Sequence, residues 1–282
     1  MGKKLVSITN QSMKEDPEGH LIAHKIFVPT HFIQELMSPL VPNVETKVGL
    51  FPHGFDEDVF RYKSRHHRVN SDTFQFVWIS VWGGRKNTKA ALEAFVLAFP
   101  DGTIKLADGR TTRVELKLVC GQPPTIKPWE REYWSAKPGI IIVDPDESRT
   151  DVELAQHYHD ADCLVFPTYA EGFGLTVLEA MATGLPVIVP DFSGIQDFCD
   201  RQSCVMIPPT RWVNMTLGSI PGCGADIDPR VLAAVMKMMV LDRQGSILLG
   251  KRAAEKAHRD WTWRKVVRDF DQKHICPLFE SL

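Results

Sequence analysis

Short apolar runs alternate with amphipathic stretches of helix length along nearly the whole chain, and this alternation leaves few architectures open. A strand whose apolar residues run on with little polar interruption is covered on both faces, which points to a parallel sheet with crossover helices. Strands are expected at residues 25–28, 47–51, 74–80, 114–120, 140–143, 163–166, 186–189 and 204–207. Helices are expected between them at 30–39, 87–99, 151–160 and 175–183, and three more at 229–241, 244–259 and 261–273 close the chain. Thr30, Asn87, Asp151 and Thr262 stand where N-caps belong. The pattern predicts an α/β fold built on a doubly wound parallel sheet. Residues 101–113 break the rhythm: two Asp-Gly pairs with alternating residues between them predict an inserted surface hairpin. Residues 61–72, basic and rich in His, Ser and Asn, read as an exposed linker, with a boundary near residues 51–60. No internal repeat or low-complexity tract is visible.

Composition narrows the function classes. With 44% hydrophobic and 24% charged residues, the chain has the balance of an ordinary globular protein. A formal net charge of -2 gives no global positive field, so nucleic acid is not an expected partner. No apolar run reaches the roughly 18 residues that span a bilayer. The start, Met1-Gly2-Lys3-Lys4-Leu5-Val6, lacks an apolar segment after its basic residues, which argues against secretion. It also has Val6 where a myristoylation signal needs Ser or Thr. Cys120, Cys163, Cys199, Cys204, Cys223 and Cys276 show no C-x-x-C pair, and read as thiols in a reducing compartment rather than a zinc or disulfide framework. A cytoplasmic location is expected.

The chemistry concentrates between Pro167 and Val187. There a strand feeds a loop containing Gly172 and Gly174, and the loop feeds a helix beginning near Leu175. Ligands of open α/β sheets lie beyond the carboxyl ends of the strands. The two glycines let backbone approach a ligand closely. The first amides of the helix, at Leu175 and Thr176, suit a phosphate at the positive end of the helix dipole. Glu179, about one turn on, can accept two hydrogen bonds from a sugar or ribose diol. Glu171 on the loop faces another part of the same ligand. Two carboxylates flanking a phosphate-binding helix terminus fit a phosphorylated, polyhydroxylated ligand.

With its Glu-Gly-Phe-Gly loop at 171–174, its Glu-Ala-Met-Ala helix at 179–182 and its Gly-x-Pro-Val exit, this stretch resembles the Glu-x7-Glu signature of family 4 retaining glycosyltransferases of the GT-B fold. Residues 25–30 resemble the last strand of that family's N-terminal domain, and Phe51-Pro52-His53-Gly54-Phe55-Asp56 with Phe60 resembles its interdomain hinge. Leu118-Val119-Cys120-Gly121 resembles its strand ending in Gly near the nucleotide, residues 157–168 its approach to the signature, and Trp263 a Trp common at its final helix. The likeness covers about residues 24–270. It implies a Rossmann-type donor domain in which Glu171, the expected catalytic residue, contacts the transferred sugar and Glu179 the ribose. Lys86 aligns with a lysine on the donor pyrophosphate. The family's arginine, six residues earlier, is replaced by Ser80, and Arg85 is the candidate substitute. The implied donor-binding set is Arg85, Lys86, Glu171, Gly172, Phe173, Gly174, Leu175, Thr176 and Glu179. The donor substrate would be a nucleotide-diphosphate sugar, with no cofactor and no metal required.

The family's N-terminal domain of well over a hundred residues, which holds the acceptor, has only its last strand and helix recognisable here. Expected units are therefore 1–51, a remnant of the acceptor-type domain; 52–265, the nucleotide-sugar-binding domain; and 266–282, a C-terminal helix and tail. The expected function is sugar transfer from a nucleotide sugar to an acceptor left open among carbohydrate, lipid-linked and protein classes. The alternative is a non-catalytic donor-binding subunit or remnant that needs a partner chain or the missing domain. An NAD-dependent oxidoreductase is disfavoured, since Val177 fills the place of the third Gly of G-x-G-x-x-G after Gly172 and Gly174. The Glu-Gly-Phe-Gly loop does not favour an epimerase.

Other features have simpler readings. Three D-x-D matches, at Asp56/Asp58, Asp144/Asp146 and Asp160/Asp162, lie where Asp is common in turns and are not read as metal sites. Asp144-Pro145, which follows a strand, is read instead as lining the base pocket. His53 is read as a hinge residue, and His66 and His67 as solvated. The basic stretch 251–268 with Trp261 and Trp263 has two readings, a peripheral membrane face or a packed Trp under a solvated face. The second is preferred because Ala253, Ala254 and Val267 offer a core stripe.

Overall fold

The computed structural model describes residues 5–7, 25–39, 41, 43–120, 126–143, 150–217 and 220–277. Its first elements are β1 (Leu5–Ser7), β2 (Lys25–Val28), α1 (His31–Met37), α2 (Val44–Lys47) and β3 (Val48–Leu50). The three strands form a parallel sheet in the order β1-β2-β3. Ile26, Val28, Ile33, Met37, Val41 and Val48 make its small core. Thr30 caps α1 as expected, its hydroxyl accepting from the Ile33 amide at 3.3 Å.

The larger sheet follows. Its elements are β4 (Thr73–Ser80), α3 (Thr88–Ala98), β5 (Thr103–Lys105), β6 (Thr111–Cys120), α4 (Pro128–Ser135), β7 (Ile140–Val143), α5 (Asp151–Asp160), β8 (Cys163–Val165), α6 (Leu175–Ala182), β9 (Val187–Pro190) and β10 (Val205–Ile207). β10, β9, β8, β4, β6 and β7 run parallel in that spatial order. β5 lies antiparallel on the first residues of β6, so the hairpin expected at 101–113 forms. β11 (Arg211–Leu217) and β12 (Ile220–Asp226) make a separate antiparallel hairpin before α7 (Pro229–Leu241), α8 (Arg243–Asp260) and α9 (Trp263–Phe270).

Alternation within each strand divides the core into two layers, which makes the sheet doubly wound. On β4, Phe74, Phe76 and Trp78 join the layer under α3 and α7, while Val77 and Ile79 join the layer under α6 and α8. β8 repeats the split, with Cys163 and Val165 on one side and Leu164 on the other. All of these side chains are buried. Strand twins of opposite facing give both helical layers a floor from the same sheet.

Several expectations needed revision. Residues 61–72 are not merely an exposed linker: Arg65 is 4% exposed and donates to the carbonyls of Tyr158, His159, Ala161 and Gly184. Burial draws its pKa down to about 10, so it stays charged at neutral pH and ties the linker to the C-terminal ends of α5 and α6. The cap of α5 is Thr150, in a reciprocal capping box with Glu153, not Asp151. Asn87 takes a left-handed conformation and makes no side-chain cap. The final helix begins at Trp263 and passes at Asp271–Ile275 into a wider turn. Val267 is 49% exposed; Val266, at 5%, occupies the core position instead. α4 and the hairpin β11–β12 were not expected at all. Gly121, Asp144, Pro145 and Asp146 lie outside the described residues. Among the described residues, no helix is long and apolar enough to cross a membrane.

Candidate active site at the carboxyl edge of the sheet

Beyond β4 the chain must reverse sharply to enter α3, and glycine makes that possible. Gly83 and Gly84 take φ values of +76° and +52°, which side chains with a Cβ rarely adopt. A Cβ at either would meet nothing within 4 Å, so the backbone there borders open space. The tight turn Gly84–Lys86 delivers two cations in succession. Lys86 Nζ lies 2.8 Å from Glu171 Oε1, and Arg85 Nη1 lies 2.7 Å from Glu171 Oε2.

Glu171 is 5% exposed. An isolated buried carboxylate is strongly disfavoured, so its neighbours decide its state. Besides the two cations, the Thr168 hydroxyl donates to Oε1 at 2.8 Å. The cluster carries two positive charges against one negative. Burial pulls the Lys86 ammonium down, and Glu171 pulls it back up. Arg85 therefore stands beside the predicted carboxylate although Ser80 holds the position expected of an arginine.

A second loop holds the first in place. The Glu171 amide donates to Ser193 Oγ at 2.9 Å, and the Gly194 amide to the Glu171 carbonyl at 3.0 Å. A Cβ on Gly194 would fall 2.3 Å from the Gly172 carbonyl oxygen. Gly194→Ala is accordingly expected to push the two loops apart and destabilise the fold by about 1–3 kcal/mol. That is a drop of several degrees in melting temperature by differential scanning fluorimetry. An unchanged melting temperature would mean that the loops are not packed together. Thr30 joins from α1, its hydroxyl donating to the Gly172 carbonyl at 2.7 Å, and His31 pairs with Asp197 at 3.0 Å.

Gly174, at φ +101°, starts α6 with no side-chain cap. Leu175 is exposed and Thr176 half-buried at that terminus. Phe173 points the other way, into an aromatic group with His53, Phe198 and Trp261. His53 also meets Trp263, and a Cβ at Gly54 would strike the Trp263 backbone at 2.5 Å, so this segment packs on the start of α9. Burial lowers the His53 pKa.

Glu179 is bonded elsewhere than the Glu171 cluster. Its Oε2 accepts from the Tyr158 hydroxyl at 2.9 Å. Burial raises its pKa to about 7, the Tyr158 hydrogen bond opposes the rise, and Asp151 adds to it. The structure thus brings Arg85, Lys86 and Glu171 into direct contact and gives Glu179 its own partner on α5. In the sequence, Thr168, Ser193 and Tyr158 carry no site role, and Thr30 only that of an N-cap. Thr30, Thr168 and Ser193 share a local signal, as hydroxyls beside strand ends.

Residues 79–216, which include every residue of this cluster, match the family profile described as "Glycosyl transferases group 1". The chain carries a group 1 glycosyltransferase domain. The sulfoquinovosyl transferase SQD2 of Arabidopsis thaliana is 33% identical over 252 residues, covering 86% of this chain and 43% of that protein. A D-inositol 3-phosphate glycosyltransferase of Paenarthrobacter aurescens (strain TC1) is 28% identical over 179 residues, 60% of this chain and 42% of that protein. The chain spans less than half the length of these two relatives. Among solved structures, sucrose-phosphate synthase (tll1590) from Thermosynechococcus elongatus superposes with TM-score 0.68 at 19% identity, over 99% of this chain and 69% of that one. Anabaena Alr3699/HepE in complex with UDP-glucose gives 0.69 at 15% identity, over 98% and 69%. These neighbours share the fold, and the glycosyltransferase domain here has the α/β architecture expected from its sequence, that of GT-B glycosyltransferases.

Proposed function

We propose that this glycosyltransferase domain binds a nucleotide-diphosphate sugar and transfers the sugar to an acceptor with retained anomeric configuration. The observation that carries the reading is the convergence of Arg85 and Lys86 on Glu171 beside an uncapped helix terminus. In the ligand-free chain the carboxylate neutralises one of the two cations. A diphosphate brings more negative charge than Glu171 does, so it draws Lys86 and Arg85 toward itself, together with the Leu175 and Thr176 amides. Glu171 is then released to face the transferred sugar while Gly172, Phe173 and Gly174 line the donor with backbone. The same cations and helix terminus offset charge on the leaving diphosphate, so we read the reaction as metal-independent. The activities of the relatives, and the UDP-glucose bound to the Anabaena protein, support this donor class.

Glu179 is assigned to the ribose. Glu179→Ala is expected to weaken a nucleoside diphosphate roughly 10–150-fold, since hydrogen bonds to a charged acceptor contribute about 1.5–3 kcal/mol. Isothermal titration calorimetry with UDP, GDP and ADP, with and without EDTA, tests donor class and metal independence together; no binding by any of the three defeats the proposal. A second reading is a donor-binding part that acts with another chain or domain. In it, residues 52–265 form the donor unit and residues 1–51 belong to the acceptor side, with 266–282 as the closing helix and tail. Hydrolysis of a nucleotide sugar by the chain alone separates the two readings. A cytoplasmic setting, inferred from the thiols, belongs to the same proposal.

A further inference from the structure

Tyr158 is the one fully buried tyrosine side chain among the described residues, and its hydroxyl meets a carboxylate of the proposed donor site. A buried phenol needs a partner for its O–H, and here the partner is Glu179 Oε2 at 2.9 Å. The ring has little freedom to look elsewhere. It sits in the core layer with Val177 and Leu178 and faces the Phe60 ring at 6.0 Å between centroids, and its hydroxyl also interacts with the Thr176 side chain. The backbone is held as well, because the Tyr158 carbonyl accepts from Arg65 Nη2 at 2.7 Å. Arg65 thus ties the linker to the α5 residue that carries the phenol.

We propose that Tyr158 is a positioning residue for the donor: its hydroxyl fixes one oxygen of Glu179, and the fixed carboxylate presents its other oxygen to the ribose diol of the bound nucleotide. The inference rests on the assignment of Glu179 to the ribose. It explains why a carboxylate on a mostly apolar helix is bonded to a group that reaches it from the core rather than from solvent. A carboxylate with one oxygen tied has fewer orientations to lose when the diol arrives, which is preorganisation of the kind that raises affinity without adding a ligand contact.

The arrangement also makes the site sensitive to pH. A diol donates two hydrogens, and an ionised Glu179 accepts them more strongly than the neutral acid does. Burial holds its pKa near 7, and the Tyr158 donation opposes that rise. Asp151 on α5 raises it further, and the α8 face packed against α6 brings Ala253, Ala254 and Ala257. His258 of α8 meets the far end of α6 at the Ala182 carbonyl, 3.0 Å away. Removing the phenol O–H leaves burial and Asp151 unopposed, so the Glu179 titration moves up.

The test is Tyr158→Phe, which keeps the ring and its packing. Calorimetry would compare UDP, GDP or ADP, whichever binds the wild-type chain, with the matching 2′,3′-dideoxynucleoside diphosphate between pH 6 and 9.5. The variant should bind the ribose form less well, with its pH midpoint raised by about one unit and affinity about threefold lower at pH 7.5. The dideoxy form should bind variant and wild type alike. Equal loss for both forms at every pH would make Tyr158 a packing residue only and overturn the proposal, as would an unmoved midpoint. A wild-type chain indifferent to the diol defeats the ribose assignment while leaving diphosphate binding intact. A wild-type chain that binds no nucleoside diphosphate defeats the donor reading itself, and this inference with it.

Discussion

Lys86→Ala is expected to weaken nucleoside diphosphate binding by roughly 10–150-fold and to leave binding of the bare nucleoside unchanged. The asymmetry follows from what the ammonium can touch. It sits at the end of the tight turn Gly84–Lys86, 2.8 Å from Glu171 Oε1 and 5.1 Å above the Phe166 ring, with 15% of its side chain exposed. A charge-assisted hydrogen bond to phosphate in such a site contributes about 1.5–3 kcal/mol, which sets the expected range. Partial burial also limits screening, so the loss should shrink only modestly between low and high salt. Isothermal titration calorimetry of diphosphate and nucleoside side by side gives the answer. Equal loss for both would show Lys86 acting through the fold, for instance by leaving Glu171 with Arg85 alone.

How much of this was legible in the sequence depends on the range of the signal. The strand–loop–helix from Pro167 to Val187 was readable because each step is local: apolar run, glycines that free the backbone, then helical periodicity. The boundaries of α5 and α7 coincide with those expected, since acidic and proline starts mark them. The hairpin β11–β12 was missed because its strands hold Pro221, Gly222 and Gly224, residues that depress strand propensity. Its tie to the site, the Ala225 amide on the Tyr169 carbonyl at 2.7 Å, is a contact between distant segments. Arg65 reads as one more charge in a basic linker; only the fold shows that four carbonyls surround it. Glu179 was expected to face a ligand, and its partner Tyr158, 21 residues earlier, carried no local mark.

Glu171→Gln should act in the opposite direction to Lys86→Ala on binding, although the two side chains share one ion pair. Glutamine keeps the size of the side chain and an oxygen for the Thr168 hydroxyl, but removes the charge that occupies Lys86 and Arg85 in the ligand-free chain. A like charge about 8–10 Å from a diphosphate repels it by about 2 kcal/mol at an effective dielectric of ~20. Allowing for screening, affinity for the nucleoside diphosphate should rise by roughly tenfold. The chain itself should become less stable, because two partly buried cations lose their counter-charge. Turnover of the bound nucleotide sugar should fall by about 10²–10³, since the group assigned to the transferred sugar can no longer stabilise positive charge as the glycosidic bond opens. Tighter product binding with slower turnover is a combination that misfolding does not produce. Calorimetry with the diphosphate and a discharge assay with the nucleotide sugar measure the two halves separately. If Glu171→Gln weakened the diphosphate as Lys86→Ala does, Glu171 would be holding the cations in place for the ligand rather than competing with it. The exchange of partners proposed for this site would then be wrong.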